Sequence, residues 1–208
     1  MTDLTGKVAL VTGGSRGIGE AIAQRLAQKG AAVAFTYVTA ADKARAVAKQ
    51  IDADGGRVLV IQADNSDTSA VVAAVEQTAR ELGRIDILVN NAGLFIAGPI
   101  EETSVERADR IWAVEVRAVL VASQAAVRHM SEGGRIITIG SALTDRVPAP
   151  GMTLYAVAKS ALVGLTKGLA RDLGQRGITV TLTSPRHAQT ERNRHIRSSA
   201  PGSYSRGM

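Results

Sequence analysis

Tyr155 and Lys159 stand four residues apart and Ser141 precedes the tyrosine by fourteen, so a phenol, an ammonium and a hydroxyl can be brought to one carbonyl oxygen. Residues four apart share a face of a helix. Tyr155 and Lys159 would therefore point the same way, with Ser141 arriving from the end of the preceding strand. This set suits proton transfer coupled to hydride transfer. A free tyrosine has a pKa of about 10 and needs a neighbouring cation to exchange its proton near neutral pH, and a hydroxyl beside it can polarise the carbonyl.

The elements that must position these groups follow from hydrophobic periodicity. Short β-branched runs at Val8–Thr12, Ala32–Tyr37, Val58–Gln62, Ile85–Asn90, Arg135–Gly140 and Ile178–Thr183 read as strands. Helical patterns at Gly17–Lys29, Ala40–Ala53, Thr68–Leu82, Ser104–His129 and Thr153–Gly174 separate them. Strict βα alternation requires a parallel sheet covered on both faces, hence an α/β fold of the Rossmann-type, doubly wound kind. Right-handed crossovers give the strand order 3-2-1-4-5-6, with a ligand crevice at the carboxyl ends of strands one and four. Residues 1–193 form one domain in this reading, and 194–208 form a basic tail without apolar period, expected to be disordered.

Thr12-Gly13-Gly14-Ser15-Arg16-Gly17-Ile18-Gly19 follows the first strand and opens the first helix. Glycines there permit a tight turn and let backbone N–H groups approach a pyrophosphate at a helix amino terminus. Such a loop alone is a weak signal, but its strand–loop–helix context is what dinucleotide binding needs. The second strand ends Phe35-Thr36-Tyr37 with no carboxylate for a ribose 2′-hydroxyl. Arg16 in the loop and Lys43 beyond the strand offer charge to a 2′-phosphate, so NADP(H) is expected over NAD(H), with a solvated Arg16 as the plainer alternative. Asp64-Asn65 after strand three either holds the adenine amino group or caps a helix.

The glycine loop, Asn90-Asn91-Ala92-Gly93 after strand four, Ser141 after strand five and Tyr155-x-x-x-Lys159 occur in the order and spacing of the short-chain dehydrogenase/reductase family. The chain resembles that family from about Thr5 to Thr190, with 3-oxoacyl-carrier-protein reductase-like members the most similar. The resemblance implies an NADP(H)-dependent oxidoreductase that interconverts a carbonyl and an alcohol. Tyr155 would serve as general acid/base, Lys159 as its tuner and ribose ligand, and Ser141 as carbonyl orienter. It further implies cofactor contacts from Gly13, Ser15, Arg16, Gly17, Ile18, Gly19, Tyr37, Asp64, Asn65, Asn91, Ala92, Gly93, Pro185, Ala188 and Thr190. Asn90, Asn91 and Gly93 would steady the central sheet and line the adenosine ribose. Association through the two long helices, Ser104–His129 and Thr153–Gly174, gives a homodimer.

Three departures qualify that inheritance. Trp112-Ala113-Val114-Glu115-Val116-Arg117 puts Glu115 where the family carries an asparagine beneath the lysine. A buried carboxylate there would pair with Lys159, compete with its ribose contact and weaken its influence on Tyr155; a solvated glutamate on the helix surface is the other reading. Pro185-Arg186-His187-Ala188-Gln189-Thr190 keeps the threonine but replaces a glycine with Arg186. The family's substrate-covering helix and seventh strand have no counterpart, as in a shortened form or a changed reading frame after about Asn193. The alternative function is therefore a catalytically impaired dinucleotide-binding or regulatory protein.

The bulk composition agrees with one globular domain of 208 residues, 45% hydrophobic. The absence of cysteine excludes disulfides, thiol catalysis and cysteine metal sites. His187 and His195 lack a carboxylate set, so no metal is expected. Of the +6 net charge, residues 186–208 carry +4, five arginines against Glu191. Without interleaved aromatics this reads as a solvated tail rather than a nucleic-acid contact. Met1 to Lys7 lacks the regions of a signal peptide and no apolar run reaches membrane-spanning length, so a cytoplasmic protein without membrane association is expected.

Overall fold

The computed structural model describes residues 3–185. Its sheet has six parallel strands: β1 (Val8–Val11), β2 (Ala32–Tyr37), β3 (Val58–Gln62), β4 (Ile87–Asn90), β5 (Arg135–Ile139) and β6 (Thr179–Thr183). Their order is β3-β2-β1-β4-β5-β6, as the βα alternation implies. Leu10 of β1 is in register with Ala34 of β2 and with Leu88 of β4. The sheet reverses direction of growth between β1 and β4, which opens a crevice at their carboxyl ends.

Each face is covered because successive side chains alternate across the sheet. Ala9, Val11, Val33, Phe35, Ile87 and Val89 pack against Ala23 of α1 (Gly17–Gln28) and Ala44, Val47 and Ile51 of α2 (Ala41–Ala53). Leu10, Ala34, Leu88, Ile136 and Val180 face the other layer. That layer comprises α3 (Thr68–Leu82), α5 (Ala118–Ala126) and the last turns of α6 (Thr153–Gly174) through Leu173.

The helix expected as Ser104–His129 is interrupted. Ser104 Oγ accepts the amide of Arg107 and starts α4 (Val105–Trp112). A π-helical turn, Ala113–Arg117, then leads into α5, which ends at Ala126 in tight turns closed by the Arg128 and His129 amides. Expected strand limits also shrink at Thr12, Ile85, Gly140 and Ile178. Thr12 leaves the ladder to use its hydroxyl in the loop beyond, and the β4–β5 register begins only at Ile87 opposite Arg135. Arg186, His187, Ala188, Thr190 and His195, together with the 194–208 tail, lie outside the described residues.

Candidate active site

The glycine loop is stitched to its neighbours before any ligand is considered. Gly13 N donates to Thr36 Oγ1 at 3.0 Å, and Gly14 N to the Thr36 carbonyl at 2.9 Å. Asn91 Nδ2 donates to the carbonyls of Thr12 (2.9 Å) and Gly13 (3.0 Å). Thr12 Oγ1 in turn accepts the amides of Asn91 and Ala92. The Asn91 side chain thus fixes the loop across the switch point, and Asn90 is tied by its amide to Ser123 Oγ of α5 at 3.4 Å.

Two glycines are required by space. A Cβ on Gly19 would lie 2.2 Å from the Gly13 carbonyl oxygen, and one on Gly14 would lie 2.5 Å from Phe35 Cβ. Helix α1 can therefore approach the strand end closely. Gly13 and Gly17 take positive φ, and Arg16, at the N-cap, makes no side-chain cap. The first-turn N–H groups of Gly17, Ile18 and Gly19 thus have no capping side chain, in a cradle whose Gly13 could not carry a Cβ without meeting Ala92 at 3.0 Å. This cradle fits a dinucleotide pyrophosphate.

The remaining cofactor candidates divide by burial. Ser15 is buried, Arg16 is exposed and Tyr37 is half-buried at the end of β2. Asn65 is buried beside exposed Asp64. Asp64 does not cap α3: Asp67 does so, accepting from Ser69 N and Ala70 N, while Asp64 Oδ1 turns back to Ser66 N at 2.8 Å. Ala92 and Gly93 lie at the carboxyl edge beyond β4, and Pro185 closes the described residues after β6.

At the same edge, Ser141, Tyr155 and Lys159 are each buried, with 9%, 6% and 5% of their surface exposed. Ser141 Oγ accepts the Leu143 amide at 3.2 Å, capping a 3-10 turn (Ala142–Thr144). Its own O–H still has a proton to donate. Leu143 shares an apolar cluster with Tyr155, Phe95 and Ile111, so the Ser141 turn and the tyrosine helix pack together. Phe95 meets Tyr155 edge-on, ring centroids 5.0 Å apart at 65°. Lys159 Nζ sits 5.8 Å from the Tyr155 ring centroid, on the same helix face.

Glu115 is not solvated. It is 1% exposed, and its Oε2 lies 2.7 Å from Lys159 Nζ. Its Oε1 accepts the amide of Leu94 at 2.6 Å, and Lys159 Nζ also donates to the Ile139 carbonyl at 2.9 Å. The π-turn carries Glu115, and Gly93 leaves room for it: a Cβ there would lie 2.8 Å from Oε1. No buried side-chain nitrogen or oxygen among the described residues lacks a partner.

Thr12, Thr36, Phe95, the Leu94 amide and the Ile139 carbonyl escaped the sequence reading. Thr12, just past β1, and Thr36, one residue before the end of β2, carry hydroxyls beside the glycine loop, a signal that was available. The two backbone groups carry none.

A doubly wound sheet with a glycine cradle and a Ser–Tyr–Lys set at its carboxyl edge defines a Rossmann-type oxidoreductase. Residues 7–201 match the short chain dehydrogenase family, and the chain belongs to it. A short-chain dehydrogenase/reductase from Serratia marcescens is 57% identical with a TM-score of 0.90, the match covering 91% of this chain and 78% of that one. A short-chain dehydrogenase from Burkholderia cenocepacia J2315, solved in complex with NADP, is 53% identical with a TM-score of 0.88, covering 94% and 82%. Hydroxynaphthalene reductase from Aspergillus fumigatus is 40% identical over 182 residues, 88% of this chain and 66% of that protein.

Proposed function

We propose that this oxidoreductase interconverts a carbonyl and an alcohol with NADP(H), with Tyr155 as the proton-transferring group. The observation that carries this reading is the burial of Tyr155 beside the Lys159 ammonium, on the edge of the sheet that also holds the glycine cradle. When bound, the nicotinamide cofactor supplies or accepts the hydride. Tyr155 gives its phenolic proton to the carbonyl oxygen as negative charge grows there in reduction, and takes it back in oxidation. The Lys159 cation stabilises the charge left on the phenol oxygen. Ser141 donates a hydrogen bond to the same carbonyl, its Oγ being held by the Leu143 amide. NADPH consumption with a panel of ketones and 3-oxoacyl thioesters tests this; binding of NADPH without turnover of any of them would support the impaired, regulatory reading instead.

The pyrophosphate would sit against the Gly17–Gly19 amides, the dipole end of α1. Arg16 is exposed at the loop, where a guanidinium can pair with a 2′-phosphate. The Burkholderia relative's NADP supports the same preference. Replacing Arg16 with alanine is expected to raise the Kd for NADPH about tenfold while moving that for NADH less than about twofold, measured by cofactor fluorescence. Equal losses for both cofactors would remove Arg16 from the 2′-phosphate.

A homodimer through the two long helical segments is the expected assembly. Trp112 and Leu120 on α4 and α5, and Val157 on α6, leave about half their surface to solvent (46%, 46% and 54%). Apolar side chains of this size on the two long helical segments suit a partner copy. Leu120→Asp should convert the dimer to a monomer by light scattering, since a charge in an apolar interface must be desolvated. An unchanged dimer would place the interface elsewhere.

A further inference from the structure

We propose that Glu115 acts as an electrostatic brake on this site, holding Lys159 back from both the cofactor ribose and the phenol of Tyr155; this rests on the roles given above to those two residues. An ammonium has three N–H donors. Glu115 Oε2 forms an ion pair with Lys159 Nζ at 2.7 Å and the Ile139 carbonyl accepts a hydrogen bond from it at 2.9 Å, so the ammonium already has two partners within the fold.

The charge matters as much as the bond count. The carboxylate is 1% exposed, so water screens it little, and it lies against the cation that sits over the Tyr155 ring. The field of Lys159 at the phenol oxygen is offset by an opposite charge at contact distance. Negative charge on that oxygen, which must develop as the proton leaves, is therefore stabilised less than by a lysine without this partner.

A carboxylate is also the group this position demands. Both of its neighbours are donors, the Leu94 amide at 2.6 Å and the Lys159 ammonium at 2.7 Å. A carboxylate accepts from both, whereas an amide of the same length can accept from one and must turn its NH₂ towards the other. Leu94 precedes Phe95, which packs on Tyr155, and Lys159 lies one helical turn beyond Tyr155. Glu115 thus grips the tyrosine's surroundings from two sides as a positioning residue.

The test compares Glu115→Asn and the equally long Glu115→Gln with the parent in the full chain, scoring NADPH Kd by fluorescence and kcat for a ketone that the parent turns over. Both variants remove the charge that holds and compensates the ammonium. Kd should fall about threefold to tenfold and kcat should rise by a similar factor. Glu115→Gln covers the case in which the shorter side chain does not fold. An unchanged Kd and kcat with a lowered thermal midpoint would make the pair merely structural and overturn the proposal, as would a weaker Kd or a lower kcat. The Kd comparison is repeated in Tyr155→Phe, where no turnover is needed. Activity surviving in Tyr155→Phe would reject the assigned chemistry, while the Kd shift there judges Glu115 separately.

Discussion

Tyr155→Phe should lower kcat about 10²- to 10⁴-fold, the usual contribution of a positioned general acid or base, while leaving NADPH Kd within about twofold. The substitution removes one oxygen and nothing else. The ring stays in its edge-on contact with Phe95 and beneath Lys159 at 5.8 Å, and Leu143 and Ile111 still pack around it. Lys159 keeps its ion pair with Glu115 and its hydrogen bond to the Ile139 carbonyl. The cofactor cradle, built from Gly13 to Gly19 and clasped by Asn91, is untouched. A loss confined to kcat would therefore report the missing proton. Steady-state NADPH oxidation with a ketone provides the measurement, and a kcat within about threefold of the parent would move the chemistry to another group.

The contrast between what could be read from residues and what could not follows from where the information resides. Strand order was legible because β-branched runs alternating with amphipathic helices admit one economical topology, and Leu10 pairing with Ala34 and Leu88 is its direct expression. The cap of α3 is Asp67, which immediately precedes the first helical residue; the sequence reading offered a cap only as the alternative role of Asp64-Asn65, and it did not name Asp67. The placement of Glu115 was half legible. Its identity announced a departure, but whether it faced solvent or Lys159 depended on a π-turn, Ala113–Arg117, that no local propensity encodes. That turn joins two stretches of ordinary α-helix, and Gly93 on another element makes the room it needs. The Leu94 amide and the Ile139 carbonyl were invisible because every residue has such groups; only the fold selects which ones meet a charged side chain.

The second large effect is on stability. Glu115→Ala should cost about 3–5 kcal/mol, because removing one member of a buried pair leaves the other without its counter-charge. Lys159 and Glu115 are 6% and 1% exposed at their side chains, so neither charge can recover its hydration without local opening. Leu94 loses its acceptor in the same substitution and adds to the cost. For a chain of this length the midpoint should fall by about 6–20 °C, followed by thermal denaturation. Lys159→Met strands the carboxylate but leaves the Leu94 bond intact, so it should cost less than Glu115→Ala. The double variant Glu115→Ala with Lys159→Met removes both charges, so neither is left buried without its counter-charge. Its cost should therefore fall well below the sum of the singles, with a coupling of about 2–4 kcal/mol. Additive losses would mean that the two charges do not depend on one another, and the buried pair would then be a contact without energetic weight. Strong coupling would show that one interaction both holds this part of the fold and restrains Lys159. A sequence relieving the restraint must then replace the stability that Glu115 contributes.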